Sequence, residues 1–177
     1  MPNTIISQFE DEFATRLPDT QSILHSGNLV IHPAVSQITL HGSRGLADTP
    51  RTDSDIDLSL LISSTEPPEI NHNFEKFCNQ VLQVTLSQWK SEIELDLAVI
   101  FPLHGCNFAC FQVNNYDPAL CSLGGVDCFG IYKGQKGFSG FVLYAGIQVE
   151  KMYPLVTIWK KEFNSPQFQI KKNYIHI

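Results

Sequence analysis

The sequence predicts a mixed α/β (α+β) protein, and three observations carry that prediction. Apolar runs with strand-like character occur at residues 38–41, 55–62 and 93–101. Helical spacing occurs at residues 4–16 and again after Pro67 and Pro68. The bulk composition supports a buried core, since 43% of the 177 residues are hydrophobic and 17% charged. A disordered chain would be less apolar and more one-sidedly charged. The length suits one domain, residues 1–177, of ordinary size.

Within residues 4–16, Ile6, Phe9 and Phe13, with Leu17 beyond, recur at helical spacing opposite Glu10, Asp11 and Glu12. An amphipathic helix stopped by Pro18 is expected there. Residues 19–35 contain Gly27 and Pro33 and read as an irregular connection. Residues 38–41 end at Gly42, as a strand running into a turn. Residues 45–54 are rich in Asp, Thr and Pro and read as a loop, followed by the strand pattern of 55–62. Pro67 and Pro68 open a second helix with Phe74, Phe77, Val81 and Leu82 toward the core. The third strand, residues 93–101, closes at Pro102. Beyond it the pattern thins. A fourth strand is expected at 126–132, a glycine-rich turn at 134–140, and a terminal strand at 169–177. Residues 141–163 fit a helix or a pair of strands, with Pro154 awkward inside either. Residues 102–177 thus form a C-terminal part whose form the pattern leaves open.

Charge and composition exclude several functions. Twelve Lys and Arg against eighteen Asp and Glu leave a net charge of -6, with no basic surplus for a nucleic-acid backbone. A nucleotide held through a metal ion stays compatible with that balance. No apolar run approaches the roughly 18 residues of a membrane span. Met1-Pro2-Asn3-Thr4 lacks the features of a secretory signal. Five cysteines, an odd number, suit reduced thiols, so a cytoplasmic location is expected. Cys106, Cys110, Cys121 and Cys128, with His104, have spacing unlike a zinc finger or paired short-spaced cysteines, and read as buried thiols. There is no Gly-x-x-x-x-Gly-Lys-Ser/Thr phosphate loop and no Gly-x-Ser-x-Gly elbow.

The chemistry concentrates in Gly42-Ser43-Arg44 and in Ser54-Asp55-Ile56-Asp57-Leu58. On a strand, Asp55 and Asp57 project from one face while Ile56 and Leu58 enter the core. Two neighbouring carboxylates repel unless a positive charge joins them. A hard divalent cation, Mg²⁺ or Mn²⁺, is the simplest such partner. In Leu95-Asp96-Leu97, Asp96 lies on the polar face, so pairing of the two strands would bring it to the same cluster. Two metal ions there would clamp a phosphoryl displacement, and Mg²⁺ commonly bridges carboxylates to a nucleoside triphosphate. Gly42 allows close backbone approach to phosphate, Ser43 can donate a hydroxyl, and Arg44 can pair with the same charge. Ser54 is a further candidate phosphate contact.

Together these residues resemble the signature of the nucleotidyltransferase (DNA polymerase β-like) superfamily, in particular its small stand-alone members. The resemblance spans residues 36–101: a Gly-Ser turn, an Asp-x-Asp strand about a dozen residues later, and a third strand-borne Asp. It implies a short mixed β-sheet with helices mainly on one face. It further implies transfer of a nucleoside monophosphate, AMP from ATP, to a hydroxyl with release of pyrophosphate. Asp55 and Asp57 would ligate both metals, Asp96 one of them while helping to deprotonate the acceptor, and Gly42 and Ser43 would hold the triphosphate. The acceptor would be an aminoglycoside-like small molecule or a partner protein. After Arg44 the chain departs from the family pattern, running Gly45-Leu46-Ala47-Asp48, which implies a short helix at most after the turn. The rival readings are a catalytically silent, antitoxin-like binding module and a metal-dependent phosphohydrolase.

Plainer roles suit the remaining residues. His41 reads as a strand residue rather than a base. Trp89 and Trp159 read as core or rim aromatics. Lys160-Lys161 and Lys171-Lys172 read as solvated charge.

Overall fold

Alternating apolar residues generate the centre of the structure. The computed structural model describes residues 2–46, 49–62, 67–103, 129–135, 137–143 and 156–161. Along the chain these form β1 (Thr4–Ile5), α1 (Asp11–Arg16), α2 (Pro18–Ser26), β2 (Val30–Ile31), β3 (Val35–His41) and β4 (Ile56–Ile62). They continue as α3 (His72–Gln88), β5 (Leu95–Pro102), β6 (Phe129–Gln135), β7 (Phe138–Leu143) and β8 (Val156–Lys160). β1 and β2 pair with each other, and the other six strands form one sheet in the order β7-β6-β5-β4-β3-β8. The described chain is therefore mixed α+β, with a mostly antiparallel sheet. Its one parallel pair is β4 with β5. A parallel pair needs a long crossover, and α3 supplies it.

One side of the sheet is apolar. Ile38 and Leu40 of β3, Ile56, Leu58 and Leu60 of β4, Leu95, Leu97 and Val99 of β5, and Tyr132 of β6 join one buried cluster. Phe13 of α1, Leu24 of α2, and Cys78, Val81 and Leu82 of α3 enter the same cluster. Each such aliphatic side chain contributes about 1.5–3 kcal/mol by leaving water. Among the described residues no helix is long and apolar enough to cross a membrane.

The three central strands lie where alternation places them, and the N-terminal region differs. Residues 4–16 are not one helix: Thr4 and Ile5 pair with Ile31 and Val30, and the Ile6 amide donates to the Leu29 carbonyl at 2.8 Å. Helical spacing there loses to strand partners that lie elsewhere in the sequence. Residues 19–35 are not an irregular connection either. Pro18 begins α2 as its first residue, where a missing N–H costs nothing, and Gly27 caps the helix end. The second helix starts after the prolines, at His72, with the Asn71 side chain accepting from the Phe74 amide at 2.9 Å.

In the second half, β6 occupies part of the expected fourth strand and continues through Gly134 and Gln135. Gln135 pairs with Phe138, so the chain reverses at Gly137, whose φ is +79°, rather than over a long turn. The described parts of 141–163 are strand, in β7 and β8, apart from Lys161 just past the end of β8. The expected terminal strand at 169–177, Pro154, His104 and the cysteines Cys106, Cys110, Cys121 and Cys128 lie outside the described residues.

Candidate functional site

β4 and β5 build the site by sharing a register. Ile56 pairs with Leu95, Asp57 with Asp96 and Leu58 with Leu97. The apolar members of these pairs are at most 2% exposed. Strand alternation therefore turns Asp57 and Asp96 together to the opposite side. Asp55 immediately precedes β4, and the Ile56 amide donates to the Glu94 carbonyl at 2.9 Å, extending the ladder below the pair. Glu94 itself is exposed, so Asp96 is the β5 carboxylate set against Asp57.

This confrontation has an electrostatic signature. Partial burial, more than any other cause, pushes the Asp57 carboxyl up to about 6. Its hydrogen bond with Asp96 and the negative charges of Asp96 and Asp55 act in the same direction, and Lys133 opposes them. Lys133 reaches Asp96 from β6, with Nζ 2.9 Å from Oδ1. The donor set consists of carboxylate oxygens, which suits a hard divalent cation such as Mg²⁺ or Mn²⁺. As the side chains stand, no group of three or more His, Cys, Asp or Glu among the described residues converges tightly enough to hold one ion. Asp55 and Asp57 stand two positions apart, Asp55 just before β4 and Asp57 within it, and Lys133 bonds Asp96 while acting on Asp57 through its charge.

The Gly42-Ser43 turn closes over Asp57. His41, the last residue of β3, pairs with Asp57 across the ladder. Gly42 then adopts φ +78°, and a Cβ at that position would collide with Asp57 Oδ2. Glycine is thus required twice, for the backbone conformation and for the carboxylate packed on it. The Gly45 amide donates to the Gly42 carbonyl and the Thr49 amide to the Ser43 carbonyl, each at 3.0 Å, so Ser43 sits in a tied turn next to Gly42. Residues 43–46 form turns, with no helix.

Arg44 and Ser54 are joined to each other. Arg44 is buried, and its Nε donates to the Ser54 carbonyl at 2.7 Å while Nη2 donates to the Arg51 carbonyl at 3.2 Å. Ser54 Oγ accepts from the Arg51 amide at 2.8 Å. The Thr20 hydroxyl of α2 donates to the Arg44 carbonyl at 2.7 Å. In this arrangement Arg44 and Ser54 hold the loop that delivers the Asp-x-Asp strand. Neither spends those groups on a ligand.

Two residues of the site escape sequence reasoning. Lys133 is one, and Gln135 is the other. The Gln135 side-chain Oε1 accepts from the Leu97 amide at 2.8 Å, and its Nε2 donates to the Leu95 carbonyl at 3.1 Å. It grips β5 on both sides of Asp96 in the chain. Each stands on β6, and nothing local in the sequence says that β6 lies beside β5. His41 behaves as a strand residue with polar neighbours, its Nε2 3.1 Å from Ser59 Oγ and 3.3 Å from Thr39 Oγ1. Trp89 packs over Gly27 and donates from Nε1 to the Ile93 carbonyl at 2.8 Å, a structural role. Lys161 donates to the Pro33 carbonyl at 3.1 Å. Cys78, buried on α3, has its thiol pushed up to about 12 by burial and then by Glu75, which leaves it protonated and unreactive.

Comparison with protein-family models, with curated proteins and with solved structures finds no match for this chain.

Proposed function

We propose that this protein is a nucleotidyltransferase with the DNA polymerase β-like fold, moving a nucleoside monophosphate from a triphosphate, AMP from ATP, to a hydroxyl acceptor. One observation carries the reading: Asp57 and Asp96 face each other in register, with Gly42 of the Gly-Ser turn packed on the Asp57 carboxylate. A β-sheet gains nothing in stability from two opposed carboxylates, so a ligand that uses them explains their position. Asp55, Asp57 and Asp96 are the carboxylates that would hold Mg²⁺ or Mn²⁺, after a side-chain rearrangement that draws them together and releases Asp96 Oδ1 from Lys133. Such a cation, when bound, neutralises the triphosphate and polarises the phosphorus to be attacked.

The chain's own groups supply the remainder. Gly42 lets backbone approach the phosphates, and Ser43 offers its hydroxyl and amide there. Asp96 receives the proton of the acceptor hydroxyl as the hydroxyl oxygen bonds to the α-phosphorus. The bond from that phosphorus to the bridging oxygen breaks, and pyrophosphate leaves. Arg44 keeps the loop and is left out of phosphate binding. An acceptor with positive charge, such as an aminoglycoside, suits a chain of net charge -6, and a protein side-chain hydroxyl satisfies the same chemistry.

Calorimetric titration of ATP, with and without Mg²⁺, into the wild-type chain and into Asp57→Asn tests this without knowledge of the acceptor. Binding that needs Mg²⁺ and disappears in Asp57→Asn is expected. No binding of any nucleoside triphosphate under any metal condition would refute the proposal. The inward engagement of Arg44 favours one second reading, a silent binding module of the same fold. It would bind Mg²⁺ and ATP yet release no pyrophosphate with any acceptor.

A further inference from the structure

Among the described residues the six-stranded sheet ends in β8 on one side and in β7 on the other, and the two edges are built differently. An edge strand turns every second N–H and C=O outward, and proteins protect such edges with charge, proline, bulges or a covering segment. β8 is protected in this way. Its register with β3 shifts between Ile38 and Thr39, the Glu10 amide donates to the Ile158 carbonyl at 2.9 Å, and α1 packs against it. Lys160, exposed, ends the strand.

β7 carries none of these devices. Phe138-Ser139-Gly140-Phe141-Val142-Leu143 holds no charge and no proline, and it pairs with β6 through six consecutive residue pairs without a bulge. Among the described residues no strand pairs with its outer edge, and Val142 and Leu143 stay 45% and 40% exposed. Such a strand is complementary to itself. Two antiparallel copies related by a two-fold axis normal to the sheet can pair with Phe141 opposite Phe141 of the partner subunit. Directly opposed residues share a face, so Val142 then stands against Gly140 of the partner subunit and Leu143 against Ser139 of the partner subunit. Each exposed apolar side chain meets a small residue, and no like charges face each other along the pair.

We infer that β7 pairs antiparallel with β7 of a second copy of this chain, joining two six-stranded sheets into one across a two-fold dimer. The contact is the same patch on both copies and closes on itself, because the edges left at the two ends are the protected β8 strands. A strand of six residues spans about 20 Å. Pairing over that length buries less than the roughly 1,200 Å² of a stable interface, so the dimer belongs to the weak class, with a dissociation constant in the micromolar range or above. Val142 and Leu143 lie outside the residues of the nucleotidyltransferase reading, and the dimer stands or falls without it.

The test is sedimentation equilibrium of the full chain from about 1 μM to about 1 mM, a range that brackets such an affinity. Amide hydrogen exchange in β7 is read at both ends of it. The wild type is expected to pass from one chain to two and no further, with β7 exchange slowing as the dimer forms. Val142→Lys puts a charge on the edge and is expected to stay a single chain throughout, with its thermal transition at low concentration unchanged. Leu143→Lys is a second probe of the same edge and is expected to weaken the dimer at least about tenfold, the effect of losing about 1.4 kcal/mol. Ile5→Lys removes an apolar side chain that is 65% exposed elsewhere, and is expected to dimerise as the wild type does. A wild type that stays a single chain at every concentration would overturn the inference. So would Val142→Lys and Leu143→Lys dimers as tight as the wild type's, or an Ile5→Lys chain that loses the dimer equally. Species that grow beyond two chains, or a dimer that leaves β7 exchange unchanged, would overturn it as well.

Discussion

On one side of β4 and β5, Ile56, Leu58, Leu60, Leu95, Leu97 and Val99 are at most 2% exposed, whereas on the other Asp57 and Asp96 stay partly exposed and oppose each other. The same two strands carry both sides, because successive side chains alternate. The apolar side stabilises the fold, and its surplus offsets an arrangement on the polar side that a fold on its own would not select. The contrast teaches that residues one position apart, such as Asp96 and Leu97, answer to different demands. Substitutions on the two sides should therefore differ in sign as well as in size.

The largest effect is expected on the apolar side. Leu97→Ala removes a fully buried side chain at the centre of the sheet and should cost about 2–5 kcal/mol, read as a lower denaturant midpoint. A cost below about 1 kcal/mol, the size of an ordinary surface change, would mean that the two sides are not unequal in the way described. Gly42→Ala, at the junction of the sides, should cost less, about 1–2 kcal/mol for a left-handed backbone at a residue with a Cβ. It should also displace the Asp57 carboxylate, so Mg²⁺-dependent ATP binding should weaken by more than the stability loss explains. Equal losses of stability and binding would argue that the turn merely supports the fold.

The smallest effect has the opposite sign. Asp57→Asn should raise the melting temperature of the metal-free protein at pH 7.5 by a few degrees, about 2–4 °C for each kcal/mol in a chain of this size. The carboxyl is pushed from 3.8 to about 6 in the folded protein. The folded state thus holds a proton that the unfolded state releases between about pH 4 and 6, and stability falls as pH rises through that window. The advantage of Asp57→Asn should accordingly shrink as pH drops below about 6. A gain that is the same at pH 4.5 and pH 7.5 would show that charge at Asp57 is not its source.

The parts of this architecture legible in sequence are those written locally. Period-two alternation in 55–62 and 93–101 gives two strands, and Asp57 and Asp96 fall on their polar faces by counting alone, while Asp55 lies just before β4. Gly42 is legible as a turn, although its contact with Asp57 is not. Residues 4–16 mislead, since their helical spacing yields to a strand at Thr4–Ile5 that depends on Val30 and Ile31. Pro18 misleads for a different reason: the same ring that ends one helix suits the first position of the next. Lys133 and Gln135 are invisible because their meaning comes from lying beside Asp96, far away in the chain. No periodicity encodes which strand neighbours which.

The grip of Gln135 on β5 bears on how β6 could be mistranslated along its neighbour. Ladder pairs between β5 and β6 run from Pro102–Phe129 to Val99–Tyr132 and are continued by the side-chain amide of Gln135. A slide of two residues would return every side chain of β6 to its original face, so hydrophobic patterning does not oppose it. It would, however, carry the Gln135 amide about 6.6 Å along the strand, away from Leu95 and Leu97. At the other end, Gly130 lies under the Phe101 ring, where a Cβ would collide. A slide of two residues in one direction would bring Tyr132 to that place. Glycine at one end and a two-pronged amide at the other thus act as end stops, and the residue presented to Asp96 is decided by a translation that the rest of the fold would tolerate.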